Sequence, residues 1–161
     1  MSLSFAVMTP EQEATYLPVV VVDYAAELVR SGYDEAQARS RSEASFASLH
    51  EDGETYLAAY DDDGAWVGVL AYVLKGFDDG PTAARALFVY DLEVFEEFRR
   101  RGHATALLDH AAALAEEAGA DEVLLTVLEG NDAGRRLYER RGFTYQSHRM
   151  RLPVRGWTER R

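Results

Sequence analysis

The sequence predicts an α+β fold: a mixed, mostly antiparallel sheet flanked by helices on both faces. Three observations point to it. The first half reads as a strand, two helices and a run of strands joined by tight turns, without β-α-β alternation. The second half reads as helix, strand, helix, strand, which makes the sheet mixed. The 161 residues favour one domain over 1–161, enough chain to bury a core without staples. The missing alternation excludes a doubly wound nucleotide fold.

Leu3 to Met8 alternates apolar and polar and predicts the opening strand. Thr9-Pro10-Glu11-Gln12 starts a helix: Thr9 caps, Pro10 takes the first helical position, and Gln12 completes a capping box. That helix runs towards Arg30 and stops near Gly32, with Pro18 expected to kink or divide it. A second helix, from about Asp34 to Leu49, has a thin apolar face of Ala38, Phe46 and Leu49 and is expected on the surface. Thr55–Tyr60 and Ala65–Leu74 read as strands around Asp61-Asp62-Asp63-Gly64, whose Asp-Gly favours a hairpin. After the loop Asp78-Asp79-Gly80-Pro81 comes a longer strand, Arg85 to Val94. Helices at about 103–118 and 132–141 flank a strand at about 122–128. Phe143 to Val154 predicts one or two further strands, as a hairpin.

Bulk properties narrow the function. No cysteine is present, which excludes disulfides, thiolate nucleophiles and cysteine-built zinc sites and fits a cytoplasmic location. The longest apolar run, Leu17 to Val22, is too short to span a bilayer. Glu11, Glu13 and Asp23 around it do not make a signal peptide, so the chain is expected to start as the mature protein would. A net charge of −11 argues against general nucleic-acid binding. The same charge could steer a cationic partner or simply keep the protein soluble.

The most informative segment is Glu97-Phe98-Arg99-Arg100-Arg101-Gly102-His103-Ala104-Thr105. It joins the strand ending at Val94 to a helix whose apolar residues, Ala104, Leu107, Leu108, Ala111, Leu114 and Ala118, recur at helical spacing. The first turn of a helix presents amides with no internal partner and suits a phosphate. Gly102 removes a side chain where a ligand must approach the backbone, and three arginines add charge at the same turn. The pattern fits a diphosphate. It is neither a P-loop nor the dinucleotide fingerprint. A tight turn with solvated arginines is the simpler alternative.

Arg99-x-x-Gly102-x-Ala104 is similar to the Arg/Gln-x-x-Gly-x-Gly/Ala signature of the acetyl-CoA-dependent N-acetyltransferases of the GNAT superfamily. Val94 to Arg99 resembles the strand end that leads into that signature. Val123 to Val127 looks like the next strand. Asn131, Leu137-Tyr138-Glu139 and Arg141-Gly142-Phe143 resemble the family's Asn…Leu-Tyr-Glu-Lys-x-Gly-Phe segment. Ala104 replaces the commoner glycine, and Glu96 stands where the family often has proline. The resemblance covers roughly the second half of the chain and implies a GNAT-like acyl-CoA N-acyltransferase fold with acetyl-CoA as acyl donor. It implies that amides from Arg100 to Thr105, through Arg101, Gly102, His103 and Ala104, hold the diphosphate, with the Thr105 hydroxyl placed to add a bond. Backbone near Leu92 to Val94 would pair with the pantetheine arm where two parallel strands, ending near Val94 and Val127, splay apart. Asn131 would contact the arm, although an N-cap explains it equally well. Gly142 reads as a helix C-cap with Phe143 packed behind it. A possible homodimer is implied by the resemblance alone.

Acetyl transfer to an amine needs a proton acceptor for the amine, a donor for the thioester oxygen and a proton for the departing thiolate. Asp91 and Glu93 end the central strand on one face, opposite Leu92 and Val94. Asp91 is the first candidate base and Glu93 the second; capping or pairing with an arginine are the alternatives. Tyr138 matches the family's tyrosine beside the sulfur and is the candidate general acid. His103 and His110 lie two turns apart, too far to share a metal, and none is expected. An enzyme, an acyl-CoA-binding regulatory module and an interaction protein that mimics the motif remain distinguishable by turnover and by binding. The amine acceptor is unspecified. Tyr16 to Leu49 and Lys75 to Ala84 are expected to shape its pocket, with Tyr16, Tyr24, Tyr33 and Phe77 as candidate lining.

Overall fold

The computed structural model describes residues 2–47, 53–76 and 85–152. The elements are β1 (Ser4–Val7), α1 (Pro10–Arg30), α2 (Glu35–Phe46), β2 (Thr55–Tyr60), β3 (Trp66–Gly76), β4 (Arg85–Val94), a 3-10 turn (Glu96–Phe98), α3 (His103–Glu117), β5 (Glu122–Leu125) and α4 (Asp132–Arg140). One sheet runs in the order β1-β2-β3-β4-β5. Its first three pairings are antiparallel and β4 pairs with β5 in parallel. The expected mixed, mostly antiparallel sheet is present. Leu49, Phe77, the Asp78–Pro81 loop and Val154 lie outside the described residues.

Local signals explain the element starts. The Thr9 hydroxyl accepts from the Gln12 amide and the Gln12 side chain accepts from the Thr9 amide, which closes the capping box. Asp34 caps α2 through the Gln37 amide. Gly64, at φ 79°, turns β2 into β3, and the Asp61 amide donates to the Ala65 carbonyl.

The expected break at Pro18 does not occur: α1 is continuous from Pro10 to Arg30. Tyr16 and Val20, on either side of it, are buried against the sheet. That burial holds the helix together across the missing hydrogen bond. The second helix is also less superficial than expected, since Ala38 and Ser42 are fully buried and the Ser42 hydroxyl donates to the Val21 carbonyl.

The sheet separates two cores. On one face α1 packs Tyr16 and Val20 against Tyr56, Ala58, Val69 and Ala71. On the other α3 packs Leu107, Ala111 and Ala115 against Leu57, Leu70, Leu87 and Val89. No helix among the described residues is long and apolar enough to cross a membrane.

Two boundaries are corrected. The strand expected at 122–128 ends at Leu125, and its pairing with β4 ends at Val89. β4 therefore runs on for Tyr90 to Val94 without β5 beside it. The strands expected in Phe143–Val154 are absent from residues 143–152, and 144–152 are exposed. Side chains tether this segment instead: Tyr145 donates to Glu139 and Gln146 donates to Glu122. β5 is an edge strand, and the local pattern alone does not decide that a following segment pairs with it.

Candidate active site

The site forms where β4 outruns β5, and a bulge in β4 makes it possible. Asp91 is opposite Ala71 and Val89 is opposite Tyr72, so Tyr90 is an extra residue without a partner. Simple alternation from Leu87 and Val89 would point Asp91 into the α3 core. The extra residue resets the phase. Leu92 and Val94 join Leu87 and Val89 on the α3 face, while Asp91 and Glu93 turn towards α1. The two carboxylates share a face as expected, but only the bulge decides which face.

The Tyr16 hydroxyl, buried on α1, donates to the Asp91 carboxylate. Burial pushes the Asp91 carboxyl up to about 7; the Tyr16 bond pulls against that, and nearby Glu93 adds to the rise. Glu93 behaves differently. Its carboxylate accepts from the Arg99 guanidinium at 2.9 Å, which partly offsets the upward shift from burial. The expected second base is thus half of an ion pair.

Tyr138, on α4, is partly buried, and its phenol is pushed up to about 12, first by burial and then by Asp91, Glu27 and Glu93. α4 is held in place from both ends. Asn131 caps it by accepting from the Gly134 amide at 2.8 Å and also donates to Glu27 of α1 at 3.2 Å. At the other end Gly142 has φ 90° and the Phe143 amide donates to the Tyr138 carbonyl, with the two rings 5.7 Å apart.

The turn before α3 has the geometry of an anion cradle. Arg100 and Gly102 take left-handed φ of 63° and 88°. Among the described residues, the amides from Arg100 to Thr105 have no acceptor. The arginines divide differently from the expectation that all three add charge there. Arg99 is spent on Glu93 and the Val94 carbonyl, and Arg101 donates to the Glu97 carbonyl and lies over the Phe98 ring. Arg100 alone has no partner among the described residues. His103 points inward, 4% exposed, with Nδ1 unpaired among the described residues, and Ala104 packs on the core. Both therefore offer only their amides. The Val94 carbonyl is already occupied by Arg99, which leaves Leu92 and its neighbours as the open edge of β4. No group of three metal-ligating side chains occurs among the described residues.

Beside this site lies a cavity of about 480 Å³, lined by α1, the end of β4 and the turn that follows. Tyr16 and Glu93 form part of its wall. Of the described aromatics proposed as lining, only Tyr16 reaches it: Tyr24 packs edge-on to Phe46, and Tyr33 lies under Arg41 and Arg151. Asp23 and Glu27 are the residues that sequence reasoning missed as site members. A signal existed, because Tyr16, Val20, Asp23 and Glu27 follow i, i+4, i+7, i+11 spacing and put two acids in line with Tyr16 and Val20 along α1.

Comparison with known proteins bears on the family and the fold. Residues 22–143 match the sequence profile described as the Acetyltransferase (GNAT) family. An uncharacterized N-acetyltransferase, YdgE of Bacillus subtilis (strain 168), is 26% identical over 157 residues, covering 94% of this chain and 98% of the relative. The solved structure of YycN from Bacillus subtilis superposes with a TM-score of 0.80 at 23% identity, covering 95% of this chain and 99% of that one. A ribosomal-protein-alanine N-acetyltransferase from Brucella melitensis gives 0.63 at 22% identity, covering 95% and 100%.

Proposed function

The chain belongs to the GNAT family of acetyltransferases, and on that premise we propose that it acetylates a primary amine by direct attack on acetyl-CoA, with Asp91 as base and Tyr138 as acid. The observation that carries this reading is the Tyr16-bonded carboxyl of Asp91 at the open end of β4, with the Tyr138 phenol in its electrostatic field.

The residues fit the donor. The six amides from Arg100 to Thr105 and the Arg100 guanidinium, all without a partner among the described residues, suit its diphosphate. The unpaired edge of β4 suits its extended amide arm as an added strand. Acetyl-CoA supplies the activated acyl group and a thiolate leaving group.

Asp91 accepts the proton of the attacking nitrogen, directly or through one water. Its raised pKa matters in size. A lysine-like amine near 10.4 and an ordinary aspartate near 3.9 are about 6.5 units apart, an uphill transfer of about 9 kcal/mol. With Asp91 at about 7 the gap falls to roughly 3.4 units, or about 4–5 kcal/mol. Tyr138 stays protonated across the physiological range and donates to the departing sulfur. Full transfer from a phenol near 12 is uphill, but Asp91 is one cause of that value. When Asp91 takes the amine proton its charge disappears, and the phenol becomes more acidic as the sulfur leaves.

The test is thiol release from acetyl-CoA against an amine panel, with Tyr138→Phe as control. Amine-dependent release, reduced about 10²–10⁴-fold in the variant, is expected. Coenzyme binding with no release on any amine would instead support a binding module.

A further inference from the structure

The cavity walled by Tyr16, the hydrogen-bond partner of Asp91, holds more negative charge than the chemistry needs. Four carboxylates line it, from Asp23, Glu93, Glu96 and Glu97, against one guanidinium. That guanidinium, of Arg99, is already neutralised by Glu93. Among the described residues, Asp23, Glu96 and Glu97 have neither an ion-pair partner nor a side-chain hydrogen bond. The remaining wall is apolar and aromatic. Val19 and Val20 come from α1, and Trp66 and Phe95 pack edge to face with centroids 4.9 Å apart.

Each part of this lining selects a different part of a ligand. Unpaired carboxylates attract ammonium groups and repel carboxylates. Aromatic faces also tolerate ammonium groups. Valine side chains favour methylene carbons over polar ones. A volume of about 480 Å³ is that of a small-molecule site. We infer that the acceptor is an aliphatic diamine or longer polyamine, bound with one amine at Asp91 and a second ammonium among Asp23, Glu96 and Glu97.

This rests on the acetyltransferase reading above. The near nitrogen forms a bond to the acetyl carbon as the carbon–sulfur bond breaks. The nitrogen gives one proton to Asp91 before it attacks and loses a second as the intermediate collapses; the thiolate takes a proton from Tyr138, that second nitrogen proton restores the phenol, and the far ammonium keeps its charge throughout. An acceptor with a carboxylate near its amine is disfavoured, because the same three acids repel it. The chain's net charge of −11 draws such a cation towards the site from a distance.

The experiment compares kcat/KM for 1,4-diaminobutane, 1-aminobutane, 4-aminobutanoate and a lysine-containing peptide, with acetyl-CoA saturating. The diamine is expected to exceed the monoamine by about tenfold or more, chiefly through KM, with the advantage shrinking as salt is added. Glu96→Gln combined with Glu97→Gln should narrow the ratio between the two amines. Equal rates for monoamine and diamine, or a clear preference for the peptide or for 4-aminobutanoate, would overturn the inference and leave acetyl transfer standing. No thiol release with any of the four would overturn both.

Discussion

The hydroxyl of Tyr16, in the first long helix, donates to the carboxylate of Asp91, 75 residues later at the end of the central strand. The bond favours the ionised form of Asp91 while burial opposes it. Removing it in Tyr16→Phe raises the Asp91 pKa further. A bond to a charged group is worth about 1.5–3 kcal/mol, or roughly one to two units. The acidic limb of the pH profile of kcat/KM should therefore move upward by about that amount. A purely structural role for Tyr16 would lower activity at every pH without moving the limb.

Asp91 also ties stability to pH. Its folded value, about 7, lies above the ordinary carboxylate value of 3.8, so the folded state binds the proton more tightly. Below about pH 4 both states are protonated and nothing is lost. Between about 4 and 7 the unfolded chain ionises first, and stability falls as pH rises. Above 7 the cost is constant. Asp91→Asn removes it. The variant should melt increasingly above the wild type from pH 4 to 7 and hold a level advantage beyond, on the order of 2–4 kcal/mol.

Gly102 takes a left-handed φ of 88° at the start of α3. Valine there is strained by about 1–3 kcal/mol and puts methyl groups where a phosphate must approach the amides. Calorimetric titration of coenzyme A into Gly102→Val should show affinity reduced by about tenfold or more, with a lower Tm. Affinity equal to that of the wild type would remove this turn from the binding site.

Asn131 both caps α4 and bridges to Glu27. Asn131→Ala should cost about 1 kcal/mol, a fall in Tm of about 3 °C. Asn131→Asp keeps the cap but sets a second carboxylate against Glu27. Its melting temperature should recover only at a pH low enough to protonate that pair.

Local chemistry made much of this legible in the sequence. The Thr9–Gln12 capping box marked the start of α1. The limits of β4 at Arg85 and Val94 and the Asn131 cap were readable from a few neighbouring residues each. What escaped the sequence depends on residues far apart. The Tyr90 bulge is invisible to period-two reading, because an extra residue looks like ordinary alternation until the partner strand is known. The sequence offers Glu93 several arginines; the fold selects Arg99, which takes one cation away from the candidate anion-binding turn. The strands expected after Phe143 are absent from residues 143–152 although β5 is an edge strand, so the local pattern did not decide whether that segment joins the sheet.

The assignment of the base is tested most directly by kcat/KM against pH for the wild type, Asp91→Asn and Glu93→Gln, with acetyl-CoA and an accepted amine. The wild type should rise to a plateau through an apparent pKa of about 7. Glu93→Gln should keep a limb, moved downward because the Glu93 charge no longer raises Asp91, while Asp91→Asn loses it together with about 10²–10⁴-fold in rate. A limb of unchanged position and height in Asp91→Asn would contradict the account.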